Sequence, residues 1–281
     1  MVEAILLGTS QDGGVPQAGC GCVTCVRAWQ DPTARRYVAS LALVDHAAQQ
    51  SWLIDATPDF REQLHALETM APEALWTGIL LTHAHVGHYA GLIHLGREAM
   101  EAHAVPVYAT ERMGHFLRTN APWSRLVAGE NIDLHPLHRG VPVALTPRLR
   151  VTPLLVPHRD EYSDTVAFLV QGPEGRLFYC PDIDSWDAWD LDLRVFLAEV
   201  NIALLDATFF SVDELPQRNL QDIPHPLATD TVSRVAGTRC EVHLTHLNHS
   251  NPLCLPGPEQ EWVAAQGVSV GTFGTRWALG E

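Results

Sequence analysis

Short, uninterrupted apolar runs recur along the chain, and each ends in a residue able to bind metal. They are Trp52-Leu53-Ile54-Asp55, Ile79-Leu80-Leu81-Thr82-His83, Leu154-Leu155-Val156-Pro157-His158, Leu177-Phe178-Tyr179-Cys180-Pro181-Asp182, Ala203-Leu204-Leu205-Asp206 and Val242-His243-Leu244-Thr245-His246. Unbroken apolar runs of this length read as strands buried on both faces, because a half-exposed strand would alternate. One side of the sheets therefore gathers His and Asp. Helical signals lie between the runs. Thr57 is placed to N-cap a helix with Pro58 at its first position, and Phe60, Leu64 and Leu67 then share one face. A second helix is expected near Gly91, a third after Thr110 and a shorter one over Asp230 to Val235. The segments Val143 to Leu145, Leu149 to Leu155 and Thr165 to Val170 follow one another across Pro and Gly turns, which predicts antiparallel neighbours. Two sheets covered by outer helices, an α/β architecture, fit this order. No repeat, low-complexity tract or flexible linker divides the chain, so one domain over residues 1–281 is expected.

Composition narrows the partners. With 18 basic and 33 acidic residues the formal charge is −15. The chain contains no Lys, and its Arg residues are scattered, so no basic footprint for nucleic acid is visible. The longest apolar stretch, Val195 to Leu205, is broken by Glu199 and Asn201, far short of a membrane span. The N-terminus has no basic region, and Ala4 to Leu7 is too short for a signal core, which predicts a cytoplasmic protein. A small-molecule substrate is the expected partner. The oligomeric state stays open, with a homodimer among the arrangements allowed.

The 15 histidines are unevenly spread, with His83, His85 and His88 in one window and His243, His246 and His249 in another. Residues at i and i+2 after a strand point the same way, so His83 and His85 can hold one cation, and the offset to His88 turns it toward a second position. His158 and Asp182, at later strand ends, can complete the shell around a metal suited to neutral imidazole. Cys20, Cys22 and Cys25 form a separate cluster, whereas Cys180, Cys240 and Cys254 are solitary. Three thiolates in one loop predict a tetrahedral structural zinc, with His249 as the fourth ligand.

The stretch Thr82-His83-Ala84-His85-Val86-Gly87-His88 resembles the HxHxDH motif of the metallo-β-lactamase superfamily. Leu7-Gly8-Thr9-Ser10-Gln11-Asp12-Gly13-Gly14-Val15-Pro16-Gln17 with the cysteine cluster looks like the pyrroloquinoline quinone biosynthesis protein B branch, as do Asp206-Ala207-Thr208-Phe209-Phe210 and Asn248-His249-Ser250-Asn251-Pro252. The chain is also similar to the cyclic phosphodiesterase of phosphonate breakdown. The resemblance implies an αββα sandwich in which His83, His85 and His158 bind one metal, Asp182 bridges, and His88 and His246 bind a second. Gly87 stands where the superfamily has an aspartate, which predicts a second site of two imidazoles and one shared carboxylate, weak or empty as purified. The biosynthesis protein departs differently, lacking the leading His pair, so the chain reads as its paralogue.

Outside the ligand set, Asp55 is placed either to accept the spare N–H of a ligand His or to cap the following helix. His225, in a Pro-bounded loop, is either a general acid or a solvated histidine. Trp186 and Trp189 wall a pocket or simply pack, and the Gly8–Gly14 loop reads as a wall beside the metal. Metal-dependent hydrolysis of a phosphodiester, lactone or amide is the first functional expectation, with one or two zinc or iron ions at the centre. Two alternatives stand beside it. A two-His-one-carboxylate set suits a non-haem iron oxygenase acting on a tyrosine-derived substrate, and the fold alone suits a non-catalytic binding or carrier protein.

Overall fold

The computed structural model describes residues 1–215 and 222–281. Its strands form two seven-stranded sheets. The first runs β14 (Arg276–Gly280), β1 (Val2–Gly8), β2 (Ser40–Asp45), β3 (Gln50–Ile54), β4 (Leu75–Leu80), β5 (Val105–Thr110) and β6 (Ile132–Leu137). The second runs β13 (Val268–Val270), β12 (Glu241–Thr245), β11 (Ile202–Asp206), β10 (Arg176–Cys180), β9 (Thr165–Gln171), β8 (Arg150–Val156) and β7 (Val143–Ala144). Each sheet is half antiparallel and half parallel. The change falls at β3 in the first and at β10 in the second.

The alternation of side chains along each strand explains the layers. Ala4 and Leu6 of β1 pack with Leu41, Leu43, Trp52, Phe168, Val170, Tyr179 and Leu204 in a core made by both sheets. Ile5 and Leu7, one residue out of phase, instead join Phe60, Leu64 and Leu67 on the opposite face. These belong to α2 (Phe60–Met70), which follows α1 (Val23–Gln30) in the chain, and α4 (Glu111–Thr119) and α5 (Trp123–Ala128) pack on the same side as α2. On the far face of the second sheet, Ala203, Leu205, Val242 and Leu244 meet α6 (Leu193–Leu197), α7 (Ala228–Val235) and α8 (Pro258–Ala265). The result is helices, sheet, sheet, helices. Burial of each Leu, Ile or Phe contributes about 1.5–3 kcal/mol, so the fold rests on these three apolar layers and leaves the polar strand ends free for chemistry.

Local starts differ from expectation in three places. The first expected helix begins at Phe60 with Asp59 at its N-cap position, not at Pro58, because Thr57 Oγ1 donates to Gln63 Oε1 and accepts from Asp59 N–H instead of capping a longer helix. The helix near Gly91 is α3 (Val86–Tyr89) continuing into a 3₁₀ segment over Ala90–Leu95. The helix after Thr110 and the one ending at Val235 are present, the latter starting at Ala228. Among the described residues no helix is long and apolar enough to cross a membrane.

Candidate metal centre

The strand ends carry the chemistry. Asp55 follows β3, His83 and His85 follow β4, His158 follows β8, Asp182 follows β10, Asp206 ends β11 and His246 follows β12. Asp55 and His246 both adopt left-handed backbone, with φ of 68° and 60°. Non-glycine residues rarely do so, and such strain collects where structure fixes a functional side chain.

Two donor groups meet at Asp182. In the first, His83 Nε2 lies 2.8 Å from His85 Nδ1, and His158 Nε2 lies 3.1 Å from the same atom. Asp182 is 3.5 Å from His83 and 3.6 Å from His158. In the second, Asp182 Oδ2 is 3.0 Å from His88 Nε2 and 3.2 Å from His246 Nε2. Asp12 joins this second group, its Oδ1 lying 3.3 Å from His88 Nε2 and 3.8 Å from His246 Nε2. The Gly-rich loop brings it there: Gln11 N–H donates to Leu247 O and Leu247 N–H donates to Thr9 O, so the loop is laced directly onto the strand end that carries His246.

Each imidazole is oriented from behind. His88 Nδ1 donates to Asp55 Oδ2 at 2.6 Å, and His158 Nδ1 donates to Asp184 Oδ1 at 2.8 Å. Thr82 Oγ1 gives its proton to Asp55 and accepts from His83 Nδ1 at 3.0 Å. Thr208 Oγ1 likewise gives its proton to Asp206 and accepts from His246 Nδ1 at 2.8 Å. His85 uses the other nitrogen, its Nε2 facing Glu161 at 3.2 Å. With every outer nitrogen protonated, five inner nitrogens converge as lone pairs, an arrangement that a cation satisfies and that is otherwise repulsive. The buried Asp12 Oδ1, Asp182 Oδ1, His88 Nε2 and His246 Nε2 make no hydrogen bond of acceptable geometry despite their proximity. The donor set therefore fits one or two divalent ions.

The charge balance of the two groups differs. Burial, reinforced by neighbouring imidazoles, holds His83 well below the usual histidine range, and burial also lowers His85. Burial opposes protonation of His246 too, but Asp182 and Asp12 override it and push the imidazole up to about 10. His88 is driven well above its usual range against burial, chiefly by Asp55. Asp12 and Asp182 would rise on burial, yet the facing imidazoles, His246 foremost, hold both carboxyls well below the ordinary range. The second group thus demands positive charge, which protons or a metal ion can supply.

His225 lies beside the second group. Its Nδ1 donates to Asp206 Oδ2 at 2.7 Å and is 3.5 Å from Asp182 Oδ1. With Thr208, Phe209, Arg159 and Gln11 it lines a cavity of about 510 Å³ that opens on Asp12 and His249. Arg159 is the sole guanidinium on this wall among the described residues, and its buried Nε lacks a hydrogen-bond partner. Trp186 and Trp189 are packed in the outer core of the second sheet, donating to Thr231 Oγ1 and Leu155 O, and they line a separate cavity of about 440 Å³ beside α6 and α7, not this one.

Cys20, Cys22, Cys25 and His249 form a second, separate donor cluster. His249 Nδ1 is 3.4 Å from Cys20 Sγ and 3.5 Å from Cys22 Sγ. A zinc tetrahedron with Zn–S of about 2.3 Å and Zn–N of about 2.0 Å has S···N edges of about 3.5 Å. Hydrogen bonds to Cys25 N–H and His249 outweigh burial and bring the Cys22 thiol down to about 6, whereas burial pushes Cys25 up to about 12.

The beta-lactamase superfamily domain matches residues 51–249. The chain belongs to that superfamily. Within it, the chain aligns with coenzyme PQQ synthesis protein B of Rhodopseudomonas palustris at 30% identity, covering 99% of this chain and 100% of that one. The fold superposes on Zn(2+)-bound PqqB from Methylobacterium extorquens with a TM-score of 0.83 at 24% identity, over 99% and 100% of the two chains. It also superposes on a diphosphatase of the PhnP family with a TM-score of 0.70 at 23% identity, over 98% and 96%.

Set against the superfamily motif, the second metal position needs correction. It is not limited to two imidazoles and one shared carboxylate, because Asp12 brings a further carboxylate into the group with His88, Asp182 and His246. Sequence reasoning also passed over Asp184, Thr208 and Glu161, and it left Asp206 without a role. Asp206 alone carried a signal, being a strand-end carboxylate like Asp55. Of the two expectations for Asp55, the carboxylate faces the histidines and does not cap α2: it receives Thr82 N–H and His88 Nδ1–H.

Proposed function

We propose that this chain is a metal-dependent hydrolase of a small anionic substrate carrying a phosphodiester, lactone or amide bond. The observation that carries the reading is the convergence of five imidazole nitrogens, each ring oriented from behind, with the Asp12 and Asp182 carboxylates beside a cavity that opens to solvent. His83, His85 and His158 would hold one ion, His88 and His246 another, and Asp182 would serve both. Such ions, zinc or iron, lower the pKa of a bound water to about 7 and polarise a scissile carbonyl or phosphoryl. Arg159 supplies a permanent positive charge on the cavity wall for a phosphate or carboxylate of the substrate. Because Asp206 takes the Nδ1 proton of His225, the Nε2 of that ring is the position that exchanges a proton with the leaving group. The likeness to a PhnP-family diphosphatase supports the phosphoester branch of this reading.

The test is a panel of phosphodiesters, lactones and amides with zinc- and iron-loaded protein, where turnover of one class is expected. His225→Ala should lower that turnover by about 100-fold or more while metal content stays constant. No hydrolysis across the panel would count against the reading. A second reading, an iron-dependent oxygenase in cofactor synthesis, is favoured by the end-to-end likeness to coenzyme PQQ synthesis protein B. Oxygen consumption by anaerobically prepared Fe(II) protein with a tyrosine-containing substrate would select it instead. The four-donor second group, with two carboxylates, speaks against a bare two-His-one-carboxylate triad there.

A further inference from the structure

Gly87 is the point where this chain departs from the motif of its superfamily, and the structure shows what fills the gap. A Cβ built on Gly87 would fall on the Asp12 Oδ1 and lie 2.7 Å from both the Cα and the Cγ of Asp12. Real side chains never approach that closely, and the obstructing atoms include backbone. No side chain therefore fits at position 87 while Asp12 keeps its place. Asp12 is 20% exposed at its side chain, yet its Oδ1 is buried and without a hydrogen-bond partner, aimed at His88 and His246. The loop that carries it is fixed on both sides: Gly14 N–H donates to Gln11 O, and Gln11 N–H donates to Leu247 O. The carboxylate is thus delivered to its position by backbone hydrogen bonds, independent of any ion.

We propose that Asp12 is a metal ligand of the second position, and that Gly87 is the vacancy in the helix that admits it. The two positions are alternatives: a carboxylate comes either from residue 87, on the turn between His85 and His88, or from residue 12, across the gap from the N-terminal loop. The second position then has two imidazoles, one carboxylate of its own and the shared Asp182, a complete donor set of four. This inference rests on the reading that the centre holds metal.

The test uses the full chain stripped of metal at the histidine centre, titrated with Co(II) alone and followed by visible absorption and metal analysis. Wild type should bind two Co(II) at this centre. Asp12→Asn, which keeps the shape of the side chain, should bind one tightly and lose affinity for the other by more than the roughly 10–100-fold that loss of an outer-shell partner costs. Gly87→Asp alone should displace Asp12, lower the melting temperature and fail to raise affinity. The double variant Asp12→Gly with Gly87→Asp should recover both the second Co(II) and the melting temperature, and this guards against Asp12→Asn having acted through misfolding. Two tightly bound ions in Asp12→Asn, or no recovery in the double variant, overturn the inference. A wild type that binds a single Co(II) overturns it while leaving a one-ion hydrolase standing, and one that binds none overturns both.

Discussion

The two metal-competent clusters of this chain share their chain segments but not their architecture. The segment after β1 gives Asp12 to one and Cys20, Cys22 and, from the helix Val23–Gln30, Cys25 to the other, and the segment after β12 gives His246 to one and His249 to the other. The cysteine cluster has three thiols and one imidazole from two short segments and, among the described residues, no orienting carboxylate in its hydrogen bonds. The histidine centre draws donors from five separate strand ends or loops, each ring oriented by Asp, Thr or Glu, and it faces a cavity. A closed tetrahedron satisfies its ion completely and can only hold chain segments together, whereas an open, outer-braced site leaves coordination for a substrate. The comparison predicts that damage to the first is read in stability and damage to the second in chemistry.

The largest effect is expected at the histidine centre. His85 lies within hydrogen-bonding distance of both His83 and His158, so its loss removes the middle donor of the first group. His85→Ala should abolish turnover and release the ion held there, while zinc on the cysteines and a cooperative melt survive on the three apolar layers. Outright unfolding of the variant would show that the polar centre, not the core, holds the sandwich together.

A smaller effect is expected one layer out. Asp55 receives both Thr82 and His88 and is fully buried, and burial raises its carboxyl despite the opposing His88 charge. Asp55→Asn keeps the shape but cannot accept from every donor that surrounds it, so His88 loses its fixed tautomer. Metal affinity at the second position should fall by about 10–100-fold, and by less at the first, which Asp55 reaches only through Thr82 and His83. An unchanged titration would reduce Asp55 to a packing residue.

Much of this was legible in the chain because metal-competent donors at strand ends announce themselves: an apolar run, then His or Asp. His83, His158, Asp182 and His246 are of that kind, and the apolar runs that precede them lie on β4, β8, β10 and β12 as read. Asp12 gave no such signal. It sits in a glycine-rich loop, far in sequence from His88, and its position depends on backbone hydrogen bonds between Thr9, Gln11 and Leu247 that periodicity cannot register. The only trace was negative, a glycine where a carboxylate was expected. Thr57 misled for a related reason: its hydroxyl had a helix to cap within reach, but a buried Gln63 competed for it. Trp186 and Trp189 could not be placed from spacing alone, since an aromatic pair one helical turn apart packs as readily as it lines a pocket.

The smallest effect tests whether the two clusters are mechanically joined. Cys22 holds His249 through Sγ contacts to its Nδ1 and carbonyl oxygen, and three residues upstream His246 enters the second metal position. On the other segment, Gln17 N–H donates to Cys25 Sγ, five residues beyond Asp12. Cys22→Ala should therefore remove one zinc and lower the melting temperature, by about 2–4 °C for each kcal/mol of clamp lost. The slack should also reach the donors nearest the clamp. Affinity at the second position, where Asp12 and His246 both hang from clamped segments, should drop several-fold, while the first, built on β4 and β8, keeps its affinity. The Thr9–Leu247 and Gln11–Leu247 hydrogen bonds lie between clamp and centre and persist in the variant, which is why the effect is expected to stay small. Equal weakening of both positions would mean that the clamp acts on the whole sandwich, and no weakening of either would mean that the backbone hydrogen bonds at Leu247 already position Asp12 and His246 unaided.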